Sequence, residues 1–252
     1  MDVVITKKIL DNIYINNFDS EIFKSVDPCG IVYKLMEHTN NQLDIELGAL
    51  FVSMISWGNR KAIRKTAEYM LCDEMKWSPA AFIIEGKFEN SYKNAKNNCV
   101  YRTLNVETFK KVCRRIQKGL DGYNTMEKCF EGKTTKESIS TICSWLSDAK
   151  IGTMDKSACK RICMFMRWMT RAVEPDFGLW ATRSPRDLYA IMDVHVCDLT
   201  RSILTNKRPT WKACEELTNI FKSWDSDDPL KYDIALMVLA DNINKINNSQ
   251  HH

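Results

Sequence analysis

An all-α fold is the class this 252-residue sequence predicts, and three observations predict it. Four times a residue able to cap a helix is followed by proline: Asp27-Pro28, Ser78-Pro79, Ser184-Pro185 and Asp228-Pro229. The cap oxygen accepts from an orphan amide of the first turn, and proline at the first helical position loses nothing, because its missing N–H would have had no partner. Apolar residues also recur at helical spacing through runs at 28–38, 45–57, 61–72, 106–120, 136–146, 157–171, 194–204, 211–224 and 229–239. Strand-like alternation is scarce, and its best instance, 100–104, is too short to build a sheet.

Between the helical runs, 90–98 is polar and rich in Asn and Lys, and 121–136 carries two glycines, so both read as loops or weak helix margins. The expected organisation is a single helical domain over 1–252, two-lobed with a cleft between lobes and a seam near 121–136; the tail 247–252 is expected to fray. No repeat of solenoid period, Gly/Ser linker or low-complexity block interrupts it.

Composition narrows the classes. Hydrophobic residues are 44% and charged residues 27%, near the averages for globular domains, so neither disorder nor a fibre is indicated. The longest apolar stretch, 47–57, is broken by Ser53 and Ser56 and falls short of the roughly 18 residues a membrane span needs. The first eight residues lack the order of an export signal, and the ten cysteines are scattered with no Cys-x-x-Cys pair, so reduced thiols in a cytoplasmic protein are expected. With 36 Lys and Arg against 32 Asp and Glu, the net charge of +4 permits nucleic-acid binding without arguing for it.

Two segments carry chemistry. At about 100° per residue, Lys156, Lys160, Arg167 and Arg171 form one narrow basic stripe on the 157–171 helix, with Asp155 placed as its cap. The apolar arc holds Ile162, Phe165, Met166 and Met169. Such a stripe is a solvated face or a phosphate-facing one. Lys160, between Cys159 and Cys163 at the edge of the apolar arc, is a candidate amine nucleophile, since partial desolvation favours the neutral amine. Further on, Asp193 is placed to cap a helix opening at Val194; a carboxylate fixed there either only caps, or steers a proton and stabilises a nearby cation. His195 and His38 are the body's two histidines, so no metal site is expected, and no cofactor.

At these two places the chain is similar to the helix-hairpin-helix DNA glycosylase superfamily. Its catalytic lysine matches Lys160 within Ser157-Ala158-Cys159-Lys160-Arg161-Ile162-Cys163, and its partner aspartate matches Asp193 in Asp193-Val194-His195-Val196. Phe165 and Arg167 fit the pattern of some 8-oxoguanine-directed members. Three features depart from that pattern: the glycine-rich hairpin is reduced to 150–156 with one glycine, 174–186 is an extra segment, and the four-cysteine cluster motif is absent. As a whole the chain resembles an uncharacterised bacterial family catalogued only as a domain of unknown function. The marks of that likeness include Trp57-Gly58-Asn59-Arg60, Asp176-Phe177-Gly178-Leu179-Trp180 and Asp228-Pro229-Leu230-Lys231-Tyr232-Asp233.

The resemblance implies a DNA glycosylase/lyase in which Lys160 attacks the sugar and Asp193 assists. Lys156, Arg167, Arg171, His195 and Arg201 would contact nucleic acid, and Trp57, Trp168, Phe177 and Trp180 would line a base pocket. For each aromatic, core packing is the competing expectation. A non-catalytic nucleic-acid-binding domain and a helical scaffold for an acidic partner remain as alternatives.

Overall fold

The computed structural model describes residues 4–249. Its helices are α1 (Lys7–Asn17), α2 (Ser20–Val26), α3 (Cys29–Met36), α4 (Gln42–Ile55), α5 (Arg60–Tyr69), α6 (Pro79–Ile84), α7 (Val106–Gly119), α8 (Met126–Cys129), α9 (Thr135–Trp145), α10 (Lys160–Thr170), α11 (Val194–Leu199), α12 (Trp211–Trp224) and α13 (Lys231–Ser249). The segment expected to be too short for a sheet forms a two-stranded antiparallel hairpin, β1 (Cys99–Tyr101) with β2 (Leu104–Asn105). No helix of the described residues is long and apolar enough to cross a membrane.

The fold is organised around α4. Every residue from Leu43 to Ile55 is buried, which is the behaviour of a helix apolar on all sides, and α3, α5, α6 and α10 pack around it. Its most deeply buried charge, Glu46, lies in a nest of donors: the amides of Met126 (2.6 Å) and Glu127 (3.1 Å), the Trp180 indole (2.6 Å) and the Gln42 side-chain amide (3.1 Å). Burial pushes the Glu46 carboxyl above its ordinary value despite these bonds. Glu46 thereby ties α4 to α8 and to the segment after α10. All ten cysteines are free, and eight are buried, packing as small apolar groups.

Long periodic runs reappear nearly as the sequence predicts, with α12 coinciding at both ends. The Asp-Pro and Ser-Pro signals behave unequally. Ser184 caps a single 3-10 turn rather than a helix, and α13 begins two residues past Pro229, because the Asp228 carboxylate is taken by Arg171 instead of by helix amides. The expected fraying of 247–252 falls partly outside the described residues, and α13 itself continues to Ser249.

A buried ionic cluster closes the C-terminal end of α10. Arg167 donates from Nε to Asp176 (3.0 Å); Arg171 donates to Asp176 (3.2 Å), to both oxygens of Asp228 (2.8 to 3.0 Å) and to the Tyr14 hydroxyl (2.6 Å). The segment 171–180 folds back on the helix, with the amides of Phe177 and Gly178 donating to the Trp168 carbonyl. Gly178 has φ 60°, and a Cβ there would lie 2.5 Å from the Ala172 Cα, so a side chain has no room. These contacts join α1, α10 and α13 in one place. Asp176→Asn is expected to destabilise the protein by about 3 to 5 kcal/mol in urea unfolding, because it breaks a pair of fully buried charges. Lys34→Ala, which breaks the half-exposed pair with Glu68, should cost less than about 1 kcal/mol; equal effects would show that the buried cluster carries no special weight.

Candidate active site

The helix bearing Lys160 starts later than its periodicity suggests. The amides of Lys156 and Ser157 close a separate turn on the Thr153 carbonyl, and Cys159 then adopts a left-handed conformation (φ 49°), with its amide donating to the Ser157 hydroxyl. The true N-cap is Cys159, not Asp155, and Lys160 is the first residue of α10. Lys156 is therefore off the helix and exposed in the preceding turn. Arg161, one residue on, donates to the carbonyl of Met54 (2.8 Å) at the end of α4 and to that of Lys150 (3.1 Å), pinning the start of α10 to the central helix. A cation at a helix C-terminus is the favourable placement.

Asp193 caps α11 as the sequence predicts: Oδ1 accepts from the Val196 amide at 2.9 Å. Its other oxygen, Oδ2, accepts from Lys160 Nζ at 2.5 Å. Neither carboxylate oxygen is idle. The chain leading into Asp193 is itself held, with Ala190 N–H donating to the Thr218 hydroxyl (2.9 Å) and Ile191 N–H shared between the two oxygens of Asp233 (3.2 and 3.3 Å). Burial alone would raise the Asp193 carboxyl; the Lys160 charge and hydrogen bond, with the Val196 amide, outweigh it and hold the group below its ordinary value.

The pair lies in a recess of about 510 Å³. Ser56, Trp57 and Arg60 from the α4–α5 junction form one side, Met164 and Arg167 of α10 another, and His195 and Val196 of α11 with Leu236 and Met237 of α13 complete the wall. Asp233, in the first turn of α13, also lines it while only 2% exposed. Burial pushes the Asp233 carboxyl up to about 7; Arg167 opposes the rise, and the like charges of Asp176 and Asp193 add to it. A second hollow of about 570 Å³, beside Lys133 and Arg183, contains neither Lys160 nor Asp193.

The basic stripe does not exist as a surface. Arg167 and Arg171 are buried, at 1% and 0% exposure, and are engaged by Asp176 and Asp228, so they are not free to meet phosphates. Arg167 nevertheless reaches the recess wall, and its Nη1 is buried without a partner. His195 is exposed at the recess and Arg201 is exposed but paired with Asp198 (3.1 Å). Among the four aromatic candidates Trp57 alone lines the recess. Trp168 is core, Trp180 is core with its indole on Glu46, and Phe177 packs edge-on against Tyr33 and Trp168. Sequence reasoning missed Asp233 as a wall residue; its signal was a lone acid heading the apolar run Ile234 to Ala240.

The sign of the Asp193 shift sets a pH dependence. A carboxyl depressed by folding contributes stability above its unfolded value of 3.8, and that contribution is lost as pH falls through the folded value. Lys160→Met should therefore cost about 1 kcal/mol or less at neutral pH, given how exposed the lysine is, and the deficit should vanish in acid. Urea midpoints of both proteins from neutral pH down to about pH 3 read it; a deficit that persists unchanged in acid would place its origin elsewhere.

No curated protein and no solved structure matches the chain. One family model does match, described as Protein of unknown function (DUF2400), and its match over residues 27–241 takes in Lys160, Asp193 and Asp233. The chain belongs to that family.

Proposed function

We propose that the protein is a DNA glycosylase/lyase that excises a damaged, oxidised base, with Lys160 as nucleophile and Asp193 as its partner carboxylate. One observation carries the reading: an amine and a carboxylate 33 residues apart meet at 2.5 Å in a recess lined by one tryptophan and several apolar side chains. The likeness of the two segments to the helix-hairpin-helix glycosylases supports the same assignment.

The chemistry follows from reach. A glycosidic bond inside a duplex is inaccessible, so the nucleotide must swing out into the recess, where Trp57 offers a stacking face. Lys160 attacks as the free amine, its ammonium proton lost to water, while Asp193, held below its ordinary value, stays a carboxylate. The free lone pair forms the bond to C1′ as the bond from C1′ to the base breaks; the C1′–O4′ bond then opens, O4′ taking the proton that the nitrogen releases, and the resulting imine can eliminate the 3′ phosphate. Positive charge developing on the sugar faces the Asp193 side of the recess. Asp27, Asp198 and Asp241 also line the wall, which suits a base and sugar better than phosphates; those would lie outside, near exposed Lys156 and His195.

Borohydride trapping on a panel of duplexes carrying 8-oxoguanine, other oxidised bases or an abasic site should give a covalent adduct that Lys160→Gln abolishes. Asp193→Asn should lower the rate by about 10²- to 10⁴-fold. DNA binding that is salt-sensitive but never trapped would replace this reading with a non-catalytic nucleic-acid-binding domain. Absence of any DNA binding would leave a helical protein-interaction scaffold.

A further inference from the structure

We infer that Asp233 is a second catalytic acid of this recess, giving its proton to the base as that base departs, an inference that rests on the glycosylase reading above. The geometry carries it. Asp233 lines the recess that holds Lys160 and Asp193, yet it is 2% exposed. Both its oxygens share a single donor, the Ile191 amide, at 3.2 and 3.3 Å. Among the described residues no Lys or Arg lies within ion-pair distance of it. A buried carboxyl served by one amide is poorly matched to a permanent negative charge and well matched to a carboxylic acid, with one oxygen accepting and the other bearing a proton to donate.

The groups facing it agree with that state. Arg167 of α10 attracts its negative charge, while Asp176 after α10 and Asp193 at the start of α11 repel it; Lys160 is already engaged by Asp193, and Asp27 and His195 stand on the same recess wall. Burial pushes the carboxyl up to about 7, into the range in which a carboxylic acid is an effective proton donor. In the reaction, the C1′–N bond breaks and its electron pair goes to the base. The Asp233 proton is transferred to a ring nitrogen, leaving a neutral base and an Asp233 carboxylate, while Lys160 completes the bond to C1′. The positive charge of Arg167 favours that carboxylate until water returns the proton.

The test uses three duplexes, carrying 8-oxoguanine, 7-methylguanine or an abasic site, with the full chain and its Asp233→Asn variant; asparagine keeps an acceptor for Ile191. An uncharged base needs a proton to leave, a cationic methylated base does not, and an abasic site has no base to lose. Asp233→Asn should slow release of 8-oxoguanine by about 10²- to 10⁴-fold. The unaltered protein should lose rate above about pH 7, and the variant should not. It should change 7-methylguanine release no more than a few-fold, roughly within the scatter of a single hydrogen bond, and leave borohydride trapping at the abasic site intact. Equal losses on both bases, no loss on either, or release of neither base while the abasic duplex is still trapped would each overturn the inference. So would a carboxyl ¹³C titration placing Asp233 in the ordinary aspartate range. Failure of the unaltered protein to trap the abasic duplex, by contrast, defeats the glycosylase reading itself.

Discussion

The buried pairing of Arg167 and Arg171 with Asp176 and Asp228 is the constraint on which the rest of the structure depends. Three charges are withdrawn from water there, with Asp228 partly exposed at the edge, and the desolvation is offset by the directed acceptors that Arg171 finds on every guanidinium nitrogen. The cluster gathers three distant pieces of chain: Tyr14 in α1, the fold-back after α10, and the approach to α13. Asp228 is five residues before Asp233, so the same anchor that closes α10 also sets where α13 presents its acid to the recess. Lys160 is fixed from the opposite end of the helix by Arg161 on the α4 carbonyl.

Between these two anchors the recess divides its labour by environment. Asp193 and Asp233 are both aspartates, and both face one cavity. One has a lysine and a helix amide and stays ionised; the other has a single shared amide in a buried wall and holds its proton toward neutral pH. Two like groups driven apart in acidity by their surroundings are the arrangement that acid and base chemistry at one site calls for. Trp57 and the methionines Met164 and Met237 supply apolar wall between them.

The fold was legible wherever the signal is local. Periodicity located α4, α7, α9 and α12, and the Asp193 cap was readable because a cap needs only its own next three residues. α1 and α2 were not read, because their apolar spacing is weak and they are held by packing, α1 against α13 and α2 against α3. The candidate pair Lys160 and Asp193 could be named from the two segments, but their meeting is a tertiary fact. The basic stripe failed for the same reason in reverse. A helical wheel assigns polar residues to water, and it has no access to Asp176 and Asp228, which arrive from elsewhere in the chain to take Arg167 and Arg171 inside. Trp168 and Trp180 are core because a large ring with one polar atom is most cheaply accommodated where apolar neighbours are dense.

Internalising those arginines changes how the molecule looks from a distance. Formal counting credits α10 with a strip of positive charge, yet two guanidinium groups of that strip are compensated within the interior, where acids screen them from the bulk. The electrostatic field felt by a polyanion in solution is then set by lysines and arginines on turns and helix surfaces, not by the helix that bears the candidate nucleophile. Under the proposed function, long-range capture and local chemistry would be physically separate, and substitutions that alter encounter rate could be made without touching the recess.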